Sequence, residues 1–127
     1  MTISVLLITH EDIGNTMLHI AQQTYGELPL PVTSVNVSYD CDPDELLNKL
    51  KHFIKEIGIN EGILILTDMF GSTPCNLAQN LEAVGHIKVI SGLNLPMLIR
   101  VLNYPALSLE ELAEKAISGG RDGVIDC

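Results

Sequence analysis

The sequence predicts an α/β protein with a doubly wound, mostly parallel sheet of about five strands and helices on both faces. Three observations support this fold class. Short apolar runs alternate with segments of helical periodicity along the chain. The run from Ile63 to Leu66 is unbroken, as in a strand buried on both faces. The connections are short, which favours parallel crossovers and the strand order 2-1-3-4-5.

The first half of the chain predicts two strand–helix units. A strand from Ile3 to Ile8 is followed by a helix that stops at Gly26. Thr33 to Ser38 alternates valine with polar residues, which indicates a shorter strand near a sheet edge. Asp42 to Glu45 is typical of a helix start, with an N-cap, a proline and acids in the first turn. Gly58 is expected to end that helix.

The second half repeats the alternation around the central strand. The expected elements are a helix from about Pro74 to Glu82 with Thr73 as its N-cap, a strand from Ile87 to Ile90, a short helix with Met97 and Leu102, a last helix that opens at the capping box of Ser108 and stops at Gly119 and Gly120, and a short fifth strand between Arg121 and Asp126.

Composition limits the function classes. With 127 residues, 46% of them hydrophobic, the chain is expected to form a single domain over residues 1–127. A formal net charge of -9 argues against nucleic-acid partners and anionic membranes. No apolar run is long enough for membrane insertion. The three widely spaced cysteines, Cys41, Cys75 and Cys127, argue against a disulfide framework or a zinc site and favour a cytoplasmic location.

Two ionisable residues follow predicted central strands. His10 follows the first strand and Asp68 follows the third. If these strands are neighbours, the two side chains flank the topological switch point, where the strand order of the sheet reverses. They could then touch. A carboxylate that accepts from one ring nitrogen frees the other as a nucleophile or base. The alternative is that each residue only ends its strand in solvent.

The helix start after Asp68 offers a phosphate-binding segment. Thr73 and Ser72 have a capping role that requires no function, but free N–H groups at a helix start, from Thr73 to Asn76, also bind anions. A phosphate near His10 would meet these donors. Cys75 is interpreted as a small buried residue.

Two hypotheses follow from these residues. In the first, His10 accepts and passes on a phosphoryl group. In the second, Asp68 is the phosphoacceptor of a receiver-like domain, and Glu11 and Asp12 hold Mg²⁺. The second requires a lysine after the last strand, but the last lysine, Lys115, lies inside a predicted helix. A hydrolase triad is weaker, because no serine lies in a nucleophile elbow.

Four motifs in order resemble the mannose-type enzyme IIA domains of the bacterial sugar phosphotransferase system, over essentially the whole chain. The segments that carry the resemblance are Thr9-His10, the signature from Asp68 to Asn76, the loop from Ser91 to Leu98, and the turn from Gly120 to Val124.

The resemblance implies a phosphotransferase component with a phosphohistidine intermediate. The histidine phosphocarrier HPr would donate a phosphoryl group to His10, Asp68 would hold the other ring nitrogen, and Thr73 with nearby N–H groups would bind the phosphoryl oxygens. A IIB protein would take the group on in sugar transport, or the chain would act as a regulatory phospho-switch. The family uses no metal or organic cofactor and commonly forms homodimers in which the C-terminal strand crosses to the partner.

Two residues depart from the family pattern. Glu11 stands where glycine is typical, and Phe70 stands where tryptophan is often found. A carboxylate beside a phosphohistidine should disfavour it unless the side chain points away. The chain ends at Cys127, so a fused IIB domain is not expected. A further hypothesis is that Met69, Phe70, Leu93 and Met97 form an apolar rim that docks HPr. The alternative is ordinary core packing, which is favoured for Met97.

Overall fold

The computed structural model describes residues 2–57 and 62–127. Strands and helices alternate along them in the order β1 (Ser4–His10), α1 (Ile13–Tyr25), β2 (Val32–Val37), α2 (Pro43–Ile57), β3 (Ile63–Thr67), α3 (Thr73–Leu81), β4 (Ile87–Ser91), α4 (Leu95–Leu102) and α5 (Leu109–Asp122). A 3-10 turn, Glu82–Val84, follows α3. Within these two ranges no helix combines the length and apolarity needed to cross a bilayer. Gly58, the expected end of α2, lies outside the described residues.

The sheet confirms the predicted topology for its first four strands. All neighbouring strands are parallel, in the order β2-β1-β3-β4. The register pairs Ile8 of β1 with Val35 on one side and with Thr67 on the other. The carboxyl ends of β1 and β3 therefore finish side by side at the switch point of the sheet, where α/β proteins bind ligands.

Helices cover both faces of the sheet, as predicted. Apolar residues of α1, α4 and α5 pack on one face, together with Leu7 and Leu64. Residues of α2 and α3 pack on the other face, together with Leu6 and Ile65. Every residue of β3 is buried, which explains its unbroken apolar sequence.

Local capping chemistry sets the starts of α2 and α5. The Asp42 carboxylate accepts the N–H of Asp44 at 3.1 Å, and Pro43 opens α2. Ser108 and Glu111 form the predicted reciprocal capping box of α5. These sequence signals therefore place both helix starts correctly.

The prediction of a fifth strand between Arg121 and Asp126 is wrong in this structure, because α5 continues through Gly119 and Gly120 to Asp122. The two glycines allow close packing against α4 and do not end the helix. A Cβ on Gly119 would lie 2.5 Å from Cβ of Arg100, and one on Gly120 would lie 2.9 Å from the Met97 methyl group. The segment after α5, residues 124–127, forms neither helix nor strand.

Candidate functional site

The structure brings His10 and Asp68 into direct contact. His10 is the last residue of β1, and Asp68 is the first residue after β3. Asp68 Oδ2 accepts two hydrogen bonds from His10, from Nδ1 at 2.8 Å and from the backbone N–H at 3.1 Å. The prediction that the two side chains touch at the sheet edge is confirmed.

This contact orients the imidazole. Because an ionised carboxylate only accepts hydrogen bonds, the Nδ1 of His10 carries the hydrogen of the 2.8 Å bond. The neutral ring then has its lone pair on Nε2. The His10 side chain is 40% exposed and that of Asp68 only 11%, so a mostly buried carboxylate holds a ring that is partly open to solvent. Such a ring can act as a nucleophile or a proton acceptor.

Buried hydrogen bonds fix both strand ends. The hydroxyl of Thr9, a fully buried side chain, accepts the N–H of Gly14 at 2.8 Å and so anchors the start of α1 beneath His10. The carbonyl of Thr67 accepts the N–H of Leu93 at 2.9 Å, which ties the loop after β4 to the end of β3. These two hydrogen bonds tie the backbone beside the pair to α1 and to the loop after β4.

The turn from Asp68 into α3 differs by one residue from the prediction. Gly71 has a φ of 80°, which explains why the turn needs glycine. Ser72, with extended backbone, occupies the N-cap position, and Thr73 is already helical, so the prediction of Thr73 as N-cap is wrong. The Ser72 hydroxyl donates to the carbonyl of Met69 at 2.6 Å and makes no capping bond.

A cavity of about 510 Å³ opens beside His10. Its lining residues come from the end of β1, from the segment between β2 and α2, and from the start of α3: His10, Glu11, Val37, Ser38, Tyr39, Cys41, Pro43 and Thr73. Of the predicted phosphate-binding residues, Thr73 lines this cavity. Asn76 instead lines a neighbouring cavity of about 190 Å³, and Ser72 lines neither.

The first turn of α3 supplies backbone donors at this edge. The earliest N–H groups of an α-helix have no carbonyl partner within the helix. The N–H of Asn76 makes the first bond of α3, to the carbonyl of Ser72, and Pro74 has no N–H. The N–H groups of Thr73 and Cys75 therefore have no carbonyl partner within α3. An anion near Thr73 would also meet the positive end of the helix dipole.

Glu11 is bound to the segment that follows β2. Its carboxylate accepts the N–H of Tyr39 at 3.0 Å, and its own N–H donates to the carbonyl of Val37 at 3.0 Å. Asp12 occupies the N-cap position of α1 without a side-chain capping bond. Across the described ranges, no three or more His, Cys, Asp and Glu side chains are grouped so that they could hold a metal ion.

The apolar rim hypothesis is wrong for Leu93, and the alternative of core packing, favoured for Met97, is confirmed. Leu93 and Met97 are 6% and 3% exposed and belong to the core, because the loop after β4 folds onto the sheet. Met69 and Phe70 are 56% and 75% exposed. Tyr39, which the sequence analysis missed, is fully exposed and lines the His10 cavity. The feature of the sequence that indicates Tyr39 is an aromatic residue just after a strand at the edge of the sheet.

The third motif of the resemblance, the loop from Ser91 to Leu98, has a structural role. Asn94 accepts the N–H of Met97 at 2.9 Å and thereby caps α4. Its amide also donates to the carbonyl of Gly120 at 3.1 Å, which joins α5 to the same loop. This motif therefore connects α4 and α5, and none of its residues lines the cavity beside His10.

Comparisons with known proteins point to one family. The model of the family EIIA-man, described as PTS system fructose IIA component, matches residues 4–117. The chain is 31% identical over 132 residues to the PTS system mannose-specific EIIAB component of Escherichia coli (strain K12) and, to the same extent, to that of Shigella flexneri. These alignments cover 98% of this chain and 39% of each relative, so the chain spans about two fifths of their length.

Two solved structures share the fold over nearly the whole chain. The mannose/sorbose specific IIA subunit of the phosphotransferase system from Enterococcus faecalis has a TM-score of 0.90 and 28% identity, covering 100% of this chain and 96% of that one. Phosphotransferase system component EIIA from Streptococcus agalactiae has a TM-score of 0.84 and 26% identity, with coverage of 98% and 96%.

Proposed function

This chain belongs to the EIIA-man family of phosphotransferase-system IIA components, and from that premise we propose that it carries a phosphoryl group on Nε2 of His10. The observation that carries the proposal is the 2.8 Å hydrogen bond between His10 Nδ1 and Asp68, which leaves Nε2 as the nucleophilic nitrogen. We treat residues 1–127 as a single IIA-type domain.

The chemistry is an in-line exchange of one phosphorus–nitrogen bond for another. The Nε2 lone pair of His10 attacks the phosphorus of a donor phosphohistidine. The bond from phosphorus to the donor nitrogen breaks, and its electron pair returns to the donor imidazole. Phosphorylated His10 keeps its hydrogen on Nδ1 and gains positive charge on the ring, which the Asp68 carboxylate stabilises at 2.8 Å.

Backbone donors would stabilise the transferring group. Its oxygens carry negative charge, and the start of α3 presents the N–H groups of Thr73 and Cys75. Thr73, whose hydroxyl could add a further donor, lines the same cavity as His10. Asn76 and Ser72 are less suited to binding the phosphoryl oxygens, because neither lines that cavity. This machinery uses no metal or organic cofactor.

The donor would be HPr, and a IIB protein would be the acceptor in sugar uptake. The exposed apolar side chains of Tyr39, Met69 and Phe70 lie on the two loops that flank His10 and would form the docking surface. The name EIIAB of the Escherichia coli relative supports a B component as acceptor. The same chemistry would serve a regulatory phospho-switch. Sugar uptake requires a IIB protein that takes the phosphoryl group from His10, whereas a regulatory switch does not.

A matched pair of variants tests the docking surface. Replacing Phe70, which is 75% exposed, by glutamate should slow transfer from phospho-HPr at low donor concentration. The control is Tyr104→Glu, at a side chain that is 40% exposed and lies after α4. Equal transfer rates for both variants and the unmodified protein would remove these loops as the donor site.

A second copy of the chain would cover the outer edge of β4. In the described part of the chain β4 pairs only with β3, and a cavity of about 510 Å³ lies along it. Val124 and Ile125 are 80% and 72% exposed at the end of the chain, and such apolar residues favour burial against a partner. Light scattering should report a dimer for the whole chain and a monomer after removal of residues 124–127.

The primary test is labelling by phospho-HPr. The unmodified chain should acquire one acid-labile, base-stable phosphoryl group, and His10→Ala should acquire none. Asp68 remains in that variant, so a receiver-like aspartyl phosphate would persist there, would require Mg²⁺ and would be base-labile. Equal labelling of both proteins would refute the phosphohistidine proposal.

A further inference from the structure

Glu11 lines the same cavity as His10, although the proposed chemistry does not require its carboxylate. Both residues line the space of about 510 Å³ at the end of β1. Glu11 Oε1 accepts the backbone N–H of Tyr39 at 3.0 Å. This bond ties the carboxylate of the exposed Glu11 to the segment after β2, whose residues line the same cavity.

The backbone at Glu11 does not favour a side chain. Its φ is 45°, in the left-handed region, where it is alone among the non-glycine residues of the described ranges. Glycine adopts this conformation without the steric penalty that a Cβ introduces. The chain therefore places a carboxylate here against local backbone preference. The N–H of Glu11 donates to the Val37 carbonyl, and its carboxylate accepts the N–H of Tyr39.

The charge of Glu11 has no cationic neighbour in the cavity wall. The described lining residues include no lysine or arginine. A phosphoryl group on His10 would add roughly two negative charges to this space at neutral pH. Repulsion between these charges and the Glu11 carboxylate acts on the phosphorylated state and is absent from the unphosphorylated one.

We propose that Glu11 is a positioning residue that destabilises the phosphohistidine at His10 through its charge and thereby favours onward transfer. This inference rests on the proposed function of His10. In onward transfer the bond between phosphorus and Nε2 breaks, its electron pair returns to the imidazole, and phosphorus bonds to the acceptor's nucleophile. Glu11 forms and breaks no bond in this step.

The test is the equilibrium constant for phosphoryl exchange between phospho-HPr and this chain. Glu11→Gln keeps an oxygen that can accept the Tyr39 N–H but removes the charge. We expect this variant to shift the equilibrium about fivefold toward the phosphorylated chain at low salt. The difference should shrink as salt is added, because screening shortens the range of the repulsion. A purely structural role would give no such salt dependence.

Two further variants serve as controls. Asp12→Asn removes the same charge from the next residue, which does not line the cavity, and should shift the equilibrium less than twofold. Glu11→Gly removes both the charge and the bond to Tyr39, and should match Glu11→Gln. Thermal melting checks that each variant is folded.

Several outcomes would overturn the inference. An equilibrium constant for Glu11→Gln within twofold of the unmodified protein would do so, as would an equal shift in Asp12→Asn. A shift confined to Glu11→Gly would assign the effect to the hydrogen bond and not to the charge. If the unmodified chain acquires no phosphoryl group on His10, the proposed function and this inference both fail. The other outcomes contradict only the role of Glu11 and leave the proposed function of His10 intact.

Discussion

Replacing Asp68 by asparagine measures how much the carboxylate contributes to the reactivity of His10. Oδ2 accepts both the Nδ1 and the backbone N–H of His10, and Oδ1 is buried with no partner among the described residues. An asparagine must direct its NH₂ group either toward these two donors or into the buried Oδ1 position. The first choice opposes donor to donor, and the second buries a donor without an acceptor. The first weakens the orientation of the ring. The second keeps an oxygen as acceptor but removes the negative charge that stabilises the positive ring.

The expected decrease in the transfer rate follows from the loss of a hydrogen bond to a charged group. A hydrogen bond to a charged group contributes about 1.5–3 kcal/mol. Since about 1.4 kcal/mol corresponds to a tenfold change in rate, phosphoryl transfer to His10 should slow by about 10- to 100-fold. The effect should appear in the transfer step, because positive charge develops on the imidazole as the new bond forms.

The assay is single-turnover transfer from phospho-HPr in a rapid-quench instrument. Asp12→Asn is the matched control, since it makes the same chemical change at an exposed carboxylate that does not contact the His10 ring. It should transfer at the unmodified rate. An Asp68→Asn rate within twofold of the unmodified protein would refute the orienting role.

Three smaller predictions concern the scaffold. Ser108→Ala should lower the free energy of unfolding by about 1 kcal/mol, because the Ser108 hydroxyl caps α5; an unchanged urea midpoint would contradict this. Gly119→Ala should destabilise by about 1–3 kcal/mol, since its Cβ would meet Arg100 at 2.5 Å; a higher melting temperature, as helix propensity alone implies, would show the packing argument to be wrong. The hydrogen bond from His86 lowers the pKa of Glu110, so His86→Ala should raise that pKa in an NMR titration. Because the folded-state pKa is lowered, this bond stabilises the fold above the ordinary carboxyl pKa, and its contribution is lost as the pH falls through the lowered value.

The contact between His10 and Asp68 could be predicted because it depends on topology. An unbroken apolar run identified β3 as central, and parallel neighbours place their carboxyl ends at one edge of the sheet. The residues directly after two such strands must then lie close together. The helix starts at Asp42 and Ser108 were predictable for a local reason, since each cap bonds within a few residues of itself.

The errors occurred where long-range packing decides. Gly119 and Gly120 looked like a helix stop, but contacts with α4 select small residues inside α5. Without that stop, the segment expected to form a fifth strand partly became helix. Leu93 was assigned to a surface rim because its motif loop is near the site, whereas its N–H bonds to Thr67 and its side chain enters the core. Tyr39 was missed because only the fold brings the segment after β2 beside His10.

The position of the phosphoryl group on the His10 ring tests the central claim most directly. The chain, labelled with ¹⁵N in histidine, would be incubated with phospho-HPr and examined by long-range ¹H–¹⁵N correlation. Because Nδ1 is held by Asp68 at 2.8 Å, phosphorus should be bonded to Nε2 while Nδ1 keeps its hydrogen. Phosphorylation at Nδ1, or an unmodified His10 ring in a protein that carries its phosphoryl group elsewhere, would contradict the account.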